Sequence, residues 1–101
     1  MKKWKMLFTP ESSRLLSKIH PENKKLIKQA LTELLQNPHK GKDLQEDLSG
    51  FKSLRLKRYR IIYDIIEEKN IIQIYHVGRR KDVYEQFRRL MTDLQKPRAS
   101  L

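Results

Sequence analysis

Cysteine is absent from this 101-residue sequence, and so are long apolar runs. Without cysteine the chain has no disulfide framework and no thiolate chemistry, which fits the reducing cytoplasm. No stretch approaches the roughly 20 apolar residues that a membrane-spanning helix needs. The apolar part of the N-terminal MKKWKMLF is too short for a signal peptide. We therefore expect a cytoplasmic protein that does not insert into a membrane.

Histidine and acidic residues are also scarce. Three scattered histidines, His20, His39 and His76, offer no metal-ligand spacing, so neither a metal site nor a cofactor is predicted. Only 12 Asp and Glu residues stand against 23 Lys and Arg residues, which gives a formal net charge of +11. Such a charge points to a polyanionic partner: nucleic acid, a membrane surface or an acidic protein.

The chain is long enough for one domain. Hydrophobic residues make up 38% of the sequence and recur in periodic patches, which favours a folded protein over a disordered basic tail. A chain of this size can bury one core without covalent cross-links. We expect a single domain over residues 1–96 and a loose tail over 97–101.

Hydrophobic periodicity predicts seven elements. Alternation predicts strands at residues 3–8, 52–57, 59–66 and 71–77, with a turn at 67–70. Helical spacing predicts helices over 10–19, 21–37 and 82–96, the first capped by Thr9, with Pro10 at the first helical position. Residues 39–50 are predicted to be mainly a connection. The order β-α-α-β-β-β-α predicts an α+β fold: a small antiparallel sheet of about four strands, with the N-terminal helical hairpin packed on one face, and a C-terminal helix.

Positive charge is concentrated around this predicted sheet. Alternation directs Arg60 away from the apolar face of its strand, and Arg55 and Lys57 point the same way from the strand before. Arg80 follows the last strand and would approach Arg60 if these strands pair. A single surface arginine is ordinarily solvated or ion-paired, but several converging cations repel one another unless a partner compensates them. The pattern predicts a sheet with an apolar side and an uncovered cationic side.

Short fragments of the sequence also occur in a familiar order: NP…GK.L, LSG, LR…YRIIY and GRR.DVY. In these motifs nearly the whole chain resembles the RelE/ParE superfamily of bacterial and archaeal toxins. The resemblance implies the α+β fold and suggests the RelE branch, whose members cut messenger RNA in the ribosomal A site and are held inactive by a cognate antitoxin. ParE-type members instead poison DNA gyrase and generally lack the basic catalytic set.

The resemblance implies catalytic roles for four residues: Arg55, Arg60, Arg80 and Tyr84. A further lysine of some members falls on Ser53 here, which departs from that pattern. Lys52 or Lys57 could replace it, although Lys52 is expected to face away from Arg55. The other cations of these segments are expected to bind RNA or the ribosome: Lys52, Lys57, Arg58, Arg79 and Lys81.

The implied reaction is attack of a ribose 2′-hydroxyl on the adjacent phosphate, leaving a 2′,3′-cyclic phosphate and a 5′-hydroxyl. Arginine suits the phosphate because its planar fork stays charged and can hold two oxygens. Tyr84 is expected to act as the base or to position it, although a free tyrosine is ionised only to about one part in a thousand at neutral pH. Without the resemblance, Tyr84 would be a helix-surface aromatic or a base-stacking platform. His76 is expected to be a partly buried structural residue on the same side as Ile72 and Ile74.

Three functions remain open at this level. A ribosome-dependent endoribonuclease, the toxin of a type II toxin–antitoxin system, would use Arg60, Arg80 and Tyr84 together. A gyrase inhibitor would share the fold without needing that set, and a non-enzymatic nucleic-acid-binding module would use the same cations for affinity alone. The expected partners are the ribosome, messenger RNA and, by the resemblance, an acidic antitoxin that forms a hetero-oligomer with the toxin.

Overall fold

The computed structural model describes residues 3–79 and 83–95, with side chains up to residue 92. The strands are β1 (Lys5–Phe8), β2 (Lys42–Asp43), β3 (Lys52–Leu56), β4 (Tyr59–Ile66) and β5 (Ile71–Arg79). The helices are α1 (Pro10–Ser17), α2 (Pro21–Gln36) and α3 (Val83–Gln95), with short 3₁₀ turns at Pro38–Lys40, Glu46–Leu48 and Glu67–Lys69. The predicted α+β fold is confirmed; the predicted tail over 97–101 lies outside the described residues.

The sheet is mixed, and its strand order is β1-β5-β4-β3-β2. Strands β3, β4 and β5 form an antiparallel meander, β2 pairs antiparallel with β3, and β1 pairs parallel with β5. The prediction of about four antiparallel strands was therefore wrong in two details. Strand β2 has only two residues, too few for an alternating pattern to reveal. The direction of β1 depends on its pairing with a strand more than sixty residues away.

Local signals explain where the first two helices begin and end. The Thr9 side chain accepts a hydrogen bond from the Ser12 amide (3.1 Å), and Pro10 occupies the first helical position, as predicted. Helix α2 ends shortly before Pro38, which disfavours helical geometry in the residue preceding it. Helix α1 ends at Ser17, two residues earlier than predicted.

One apolar core lies between the helical hairpin and the sheet. The buried Ser12 hydroxyl fixes α1 to the sheet by donating to the Ile74 carbonyl (2.9 Å). Helix α2 contributes four buried side chains and the strands six: Ile27, Ala30, Leu31, Leu34, Leu54, Ile61, Tyr63, Ile72, Ile74 and Val77. This face of the sheet is apolar and covered by helices, as predicted.

A second apolar core lies on the opposite face, beneath α3. Its buried members are Leu48, Ile62, Val83 and Phe87. The prediction that this face is uncovered was therefore wrong, because the apolar stripe of α3 and the side chain of Ile62 are buried against each other. Part of this face stays open beside β3, where Arg55 is exposed, and this places the candidate site at the margin of α3.

A β-bulge in β5 changes which residues lie under α3. The register between β4 and β5 shifts so that Ile62 pairs with His76 and Tyr63 with Ile74, leaving Tyr75 as the extra residue. Tyr75 and His76 consequently both pack on the α3 side. His76 is buried, but it lies on the face opposite to Ile72 and Ile74, contrary to the prediction.

The hydroxyl of Tyr63 ties the connection after α2 to the sheet. It donates to the Pro38 carbonyl (2.8 Å) and accepts from the Gly41 amide (2.9 Å). Gly41 has to be glycine here, because a Cβ at this position would lie 2.4 Å from that hydroxyl oxygen.

We expect Tyr63→Phe to lower the free energy of unfolding by about 1–3 kcal/mol, because two backbone groups lose their partner in a buried setting. Urea unfolding followed by circular dichroism measures the change. Tyr59→Phe is the matched control, since that hydroxyl makes one longer bond, accepted from Asn23 (3.3 Å). Equal losses in the two variants would contradict the prediction.

Within the described residues, no helix combines the length and the apolar character needed to cross a bilayer.

Candidate active site

Strand pairing brings two arginines directly opposite each other. Arg55 of β3 pairs with Arg60 of β4, and Arg60 pairs on its other side with Gly78 of β5. All three positions lie on the sheet face that α3 partly covers. A Cβ at Gly78 would lie 3.2 Å from His76 Nε2 and 3.3 Å from Gln86 Oε1, so the absence of a side chain lets α3 begin close to the sheet.

Tyr84, in the first turn of α3, meets this row of residues. Its hydroxyl accepts a hydrogen bond from Arg60 Nη1 and donates one to Ser53 Oγ (3.1 Å). The guanidinium carbon of Arg60 also lies 5.1 Å from the centre of the Tyr84 ring, within cation–π range. Ser53, Arg60 and Tyr84 thus form one hydrogen-bonded group drawn from β3, β4 and α3.

The two arginines lack a carboxylate partner among residues 3–79 and 83–92. The Nε of Arg60 is also buried and has no hydrogen-bond partner there. Two carboxylates of the segment between α2 and β3 are paired with other cations: Asp43 with Lys52 (2.5 Å) and Asp47 with Arg88 (3.1 Å). An uncompensated pair of guanidinium groups suits a bound phosphate.

The other predicted cations are distributed differently. Lys52 lies on the α2 side of β3, away from Arg55, as expected from alternation. Lys57 and Arg58 are exposed in the turn between β3 and β4, where Lys57 adopts a left-handed conformation (φ 38°) and no longer follows the strand. Arg79 pairs with Tyr59 and so shares the α2 side. Two predicted site residues, Arg80 and Lys81, lie outside the described residues.

The structure describes three of the four predicted catalytic residues, Arg55, Arg60 and Tyr84, and brings them together. Sequence reasoning treated Ser53 only as a departure from a family pattern and missed its contact with Tyr84. A signal was available, because Ser53 lies two residues before Arg55 and alternation puts both on one face.

A shallow cavity of 240 Å³ opens beside Tyr84, lined by Leu44, Gln45, Glu46, Leu48, Tyr84 and Arg88. Its walls combine leucine side chains and an aromatic ring with amide, carboxylate and guanidinium groups. Across the described part of the chain, no three side chains of the metal-binding types come together as a candidate cation site.

His76 lies beneath α3 and is 4% exposed. Its Nε2 is 3.3 Å from Gln86 Oε1, its ring packs near Phe87, and its Nδ1 is buried with no partner in the described residues. Burial lowers the pKa of His76 from its ordinary value, although Gln86 and Glu11 act in the opposite direction. The neutral imidazole is therefore the form that fits this position.

This burial predicts a pH-dependent stability. Above about pH 6.5 His76 is neutral in both folded and unfolded chains, but below it the unfolded chain takes up a proton that the folded chain resists. Stability should fall as the pH drops from 7.5 to 5.5, by at most about 1.4 kcal/mol per pH unit from this group. Urea midpoints of the parent and of His76→Gln measure it, and the variant should show a smaller fall. The exposed residue His39 supplies the control variant, His39→Gln. If stability falls with pH as much in His76→Gln as in this control, the pH dependence does not come from His76.

Comparison with known sequences identifies relatives of this chain. The profile of the family described as ParE toxin of type II toxin-antitoxin system, parDE, matches residues 7–84. A toxin RelE of Mycobacterium tuberculosis is 42% identical over 52 residues, which are 50% of this chain and 54% of that protein. The match thus spans about half the length of that curated relative.

Solved structures extend the likeness to the fold. A chain of the toxin–antitoxin complex RelBE2 from Mycobacterium tuberculosis superimposes with a TM-score of 0.72 at 30% identity, covering 78% of this chain and all of that one. The isolated RelE toxin of E. coli gives a TM-score of 0.67 at 21% identity, covering 87% and 98%. A chain of the archaeal RelE–RelB complex from Pyrococcus horikoshii gives 0.65 at 16% identity, covering 79% and 98%. The last two likenesses concern the fold alone.

Proposed function

Since this chain belongs to the RelE/ParE superfamily of toxins of type II toxin–antitoxin systems, we propose that it is a RelE-like endoribonuclease that cuts messenger RNA in the ribosomal A site. One observation carries the proposal. Arg55 and Arg60 face each other on the open part of the sheet without a carboxylate partner in the described residues, and Arg60 is hydrogen-bonded to the Tyr84 hydroxyl. A pair of guanidinium groups can hold phosphate oxygens, and a phenol beside them can accept or position a proton during phosphodiester cleavage.

The reaction begins with the RNA itself. The ribose 2′-oxygen attacks the adjacent phosphorus, the bond to the 5′-oxygen breaks, and the products are a 2′,3′-cyclic phosphate and a 5′-hydroxyl. RNA supplies its own nucleophile, so the proposed reaction is metal-independent. The enzyme has to accept the 2′-hydroxyl proton, stabilise the negative charge that develops on the phosphate oxygens, and assist the departing 5′-oxygen.

The described residues divide these tasks. Arg55 and Arg60 hold the non-bridging phosphate oxygens, where a fixed cation stabilises the transition state most strongly. Tyr84 accepts or positions the 2′-hydroxyl proton, because its oxygen lies beside the Arg60 guanidinium. A further phosphate contact from Arg80 stays a prediction from the resemblance.

Docking on the ribosome would use charge and shape outside this group. A net charge of +11 favours binding to ribosomal RNA, with Lys57 and Arg58 exposed at the β3–β4 turn. Contacts from Arg79 and Lys81 are also proposed, whereas Lys52 is less suited because it is paired with Asp43. The cavity beside Tyr84 is lined by both apolar and polar side chains, which suits an unstacked base.

The proposed partner is an antitoxin. Four of the similar structures are complexes of a toxin with an antitoxin or an antitoxin peptide. The basic charge of this chain favours an acidic antitoxin, which would neutralise the site in a hetero-oligomer. We place the protein in the cytoplasm, where its proposed target, the translating ribosome, is found.

A second candidate is inhibition of DNA gyrase. It is favoured by the family profile, whose description names ParE toxins. An inhibitor that acts only by binding another protein has no use for an arginine pair arranged around a tyrosine hydroxyl, and for this reason we rank it second.

Primer extension on a defined messenger RNA tests the proposal. Purified protein and the Arg80→Ala variant are each incubated with the RNA, with and without programmed ribosomes. A parallel assay measures gyrase cleavage complexes. Discrete cuts that require ribosomes and are lost in Arg80→Ala are expected. Absence of cuts in both conditions would refute the nuclease, and gyrase complexes would then favour the second candidate. RNA binding without cleavage would indicate a non-enzymatic module.

A further inference from the structure

We propose that Ser53 is a positioning residue of this site, which holds the hydroxyl hydrogen of Tyr84 on the β3 side. The Tyr84 oxygen then keeps acceptor capacity toward the open part of the sheet, where the ribose would bind. The inference rests on the proposed endoribonuclease function and assigns a role to a residue that the resemblance marked only as a departure.

The chemistry of the guanidinium fixes the direction of one hydrogen bond, and the structure gives the direction of the other. A guanidinium can only donate, so Arg60 Nη1 donates to the Tyr84 oxygen. A phenol has one hydrogen, and Ser53 Oγ, 3.1 Å away, is its acceptor. The hydrogen of Tyr84 is therefore directed toward β3, while Arg60 occupies one acceptor direction of the same oxygen.

Burial makes this arrangement specific to one orientation. Ser53 is 5% exposed, and its neighbour across the strands is the fully buried Ile62. Hydrogen bonds in such surroundings are stronger than in water, and a hydroxyl left without a partner there is costly. The Ser53 and Tyr84 hydroxyls thus hold each other in place.

Loss of the serine hydroxyl would free the Tyr84 hydrogen to rotate toward the substrate. A phenol that keeps its own hydrogen does not take up the 2′-hydroxyl proton, but it orients the 2′-hydroxyl by accepting a hydrogen bond from it. A Tyr84 hydrogen on that side would oppose this, because the 2′-hydroxyl would meet a donor where it needs an acceptor. A misplaced reacting group can lower a rate by about 10²-fold. We expect Ser53→Ala to lose part of this, about tenfold in the cleavage rate, with RNA affinity unchanged.

A double-mutant cycle tests the inference. Single-turnover cleavage rates on programmed ribosomes are measured for the parent, Ser53→Ala, Tyr84→Phe and the double variant. Affinity is measured with a messenger RNA carrying a 2′-deoxyribose at the cleaved position, which binds but cannot react. Ser13→Ala, an exposed serine of α1 on the other side of the sheet, is the control. Ser53→Thr and Ser53→Val form a second test, because they have the same shape and only threonine keeps the hydroxyl.

We expect Ser53→Ala to lower the cleavage rate about tenfold in the parent and to cause no further loss in Tyr84→Phe. The rate of Ser53→Thr should stay within about threefold of the parent, and that of Ser53→Val should be about tenfold lower. If Tyr84→Phe has no measurable rate, the threonine and valine variants decide. Equal losses in both backgrounds, equal rates for threonine and valine, or a matching loss of affinity for the deoxy RNA would overturn the inference. A parent that does not cut would instead refute the proposed function, so the two failures are distinguishable.

Discussion

Arg60→Ala is expected to lower the single-turnover rate of messenger RNA cleavage by about 10²–10³-fold, the usual cost of removing one group that stabilises transition-state charge. Arg60 is the residue on which the site converges, since it faces Arg55, donates to the Tyr84 hydroxyl and lies over the Tyr84 ring. Its loss removes a phosphate contact and one partner of the tyrosine. The rate is measured on programmed ribosomes at saturating enzyme.

Two further variants show whether the effect is local. Arg58→Ala removes an exposed cation that is proposed for docking. At saturating enzyme its rate should stay within about threefold of the parent, because a loss of affinity alone does not slow the chemical step. Arg60→Lys keeps the charge without the planar fork and should fall between the two. Similar losses for Arg58→Ala and Arg60→Ala would mean that both act only through general attraction for RNA.

Phe87→Ala is expected to lower the free energy of unfolding by about 3–5 kcal/mol, as for other buried phenylalanines. Phe87 is fully buried beneath α3, with its ring centre 5.0 Å from that of Phe51 and 6.2 Å from that of Tyr75. The truncation leaves a cavity in the core that holds α3 on the sheet. Because Tyr84 lies one turn earlier in the same helix, cleavage should fall as well. Urea unfolding and the cleavage assay are made on the same preparations.

Arg89→Ala, an exposed position of the same helix, is the control for this variant. Its side chain is 78% exposed and makes a 3.5 Å contact with Glu85, so stability should change by less than about 0.5 kcal/mol. A Phe87→Ala protein of parental stability would mean that α3 is not held by this core. If the destabilised Phe87→Ala protein cleaves RNA at the parental rate, the position of Tyr84 does not depend on Phe87.

The two variants also distinguish chemistry from support. Arg60→Ala should change the rate with little change in the unfolding midpoint, because Arg60 is only partly buried at the edge of the second core. Phe87→Ala should change both. If the cleavage rates of the two variants simply follow their stabilities, Arg60 does not belong to an active site.

The local elements of this protein were determined by the sequence itself. The helical hairpin was predicted from a cap at Thr9, a first-turn proline at Pro10 and a helix-ending proline at Pro38, and these signals act within a few residues. Alternation in β3 and β4 correctly placed Arg55 and Arg60 on one face. Such patterns state which side chains share a face, because they follow from backbone geometry alone.

Only the tertiary structure decided what covers each face and which distant groups meet. Contacts between segments far apart in the chain decide three features: the two-residue β2, the parallel pairing of β1 with β5, and the bulge that puts His76 under α3. The Ser53–Tyr84 hydrogen bond has the same origin, since it joins β3 to α3 across 31 residues. Periodicity carries no information about such meetings, because they are selected by the burial of side chains from distant segments in the two cores.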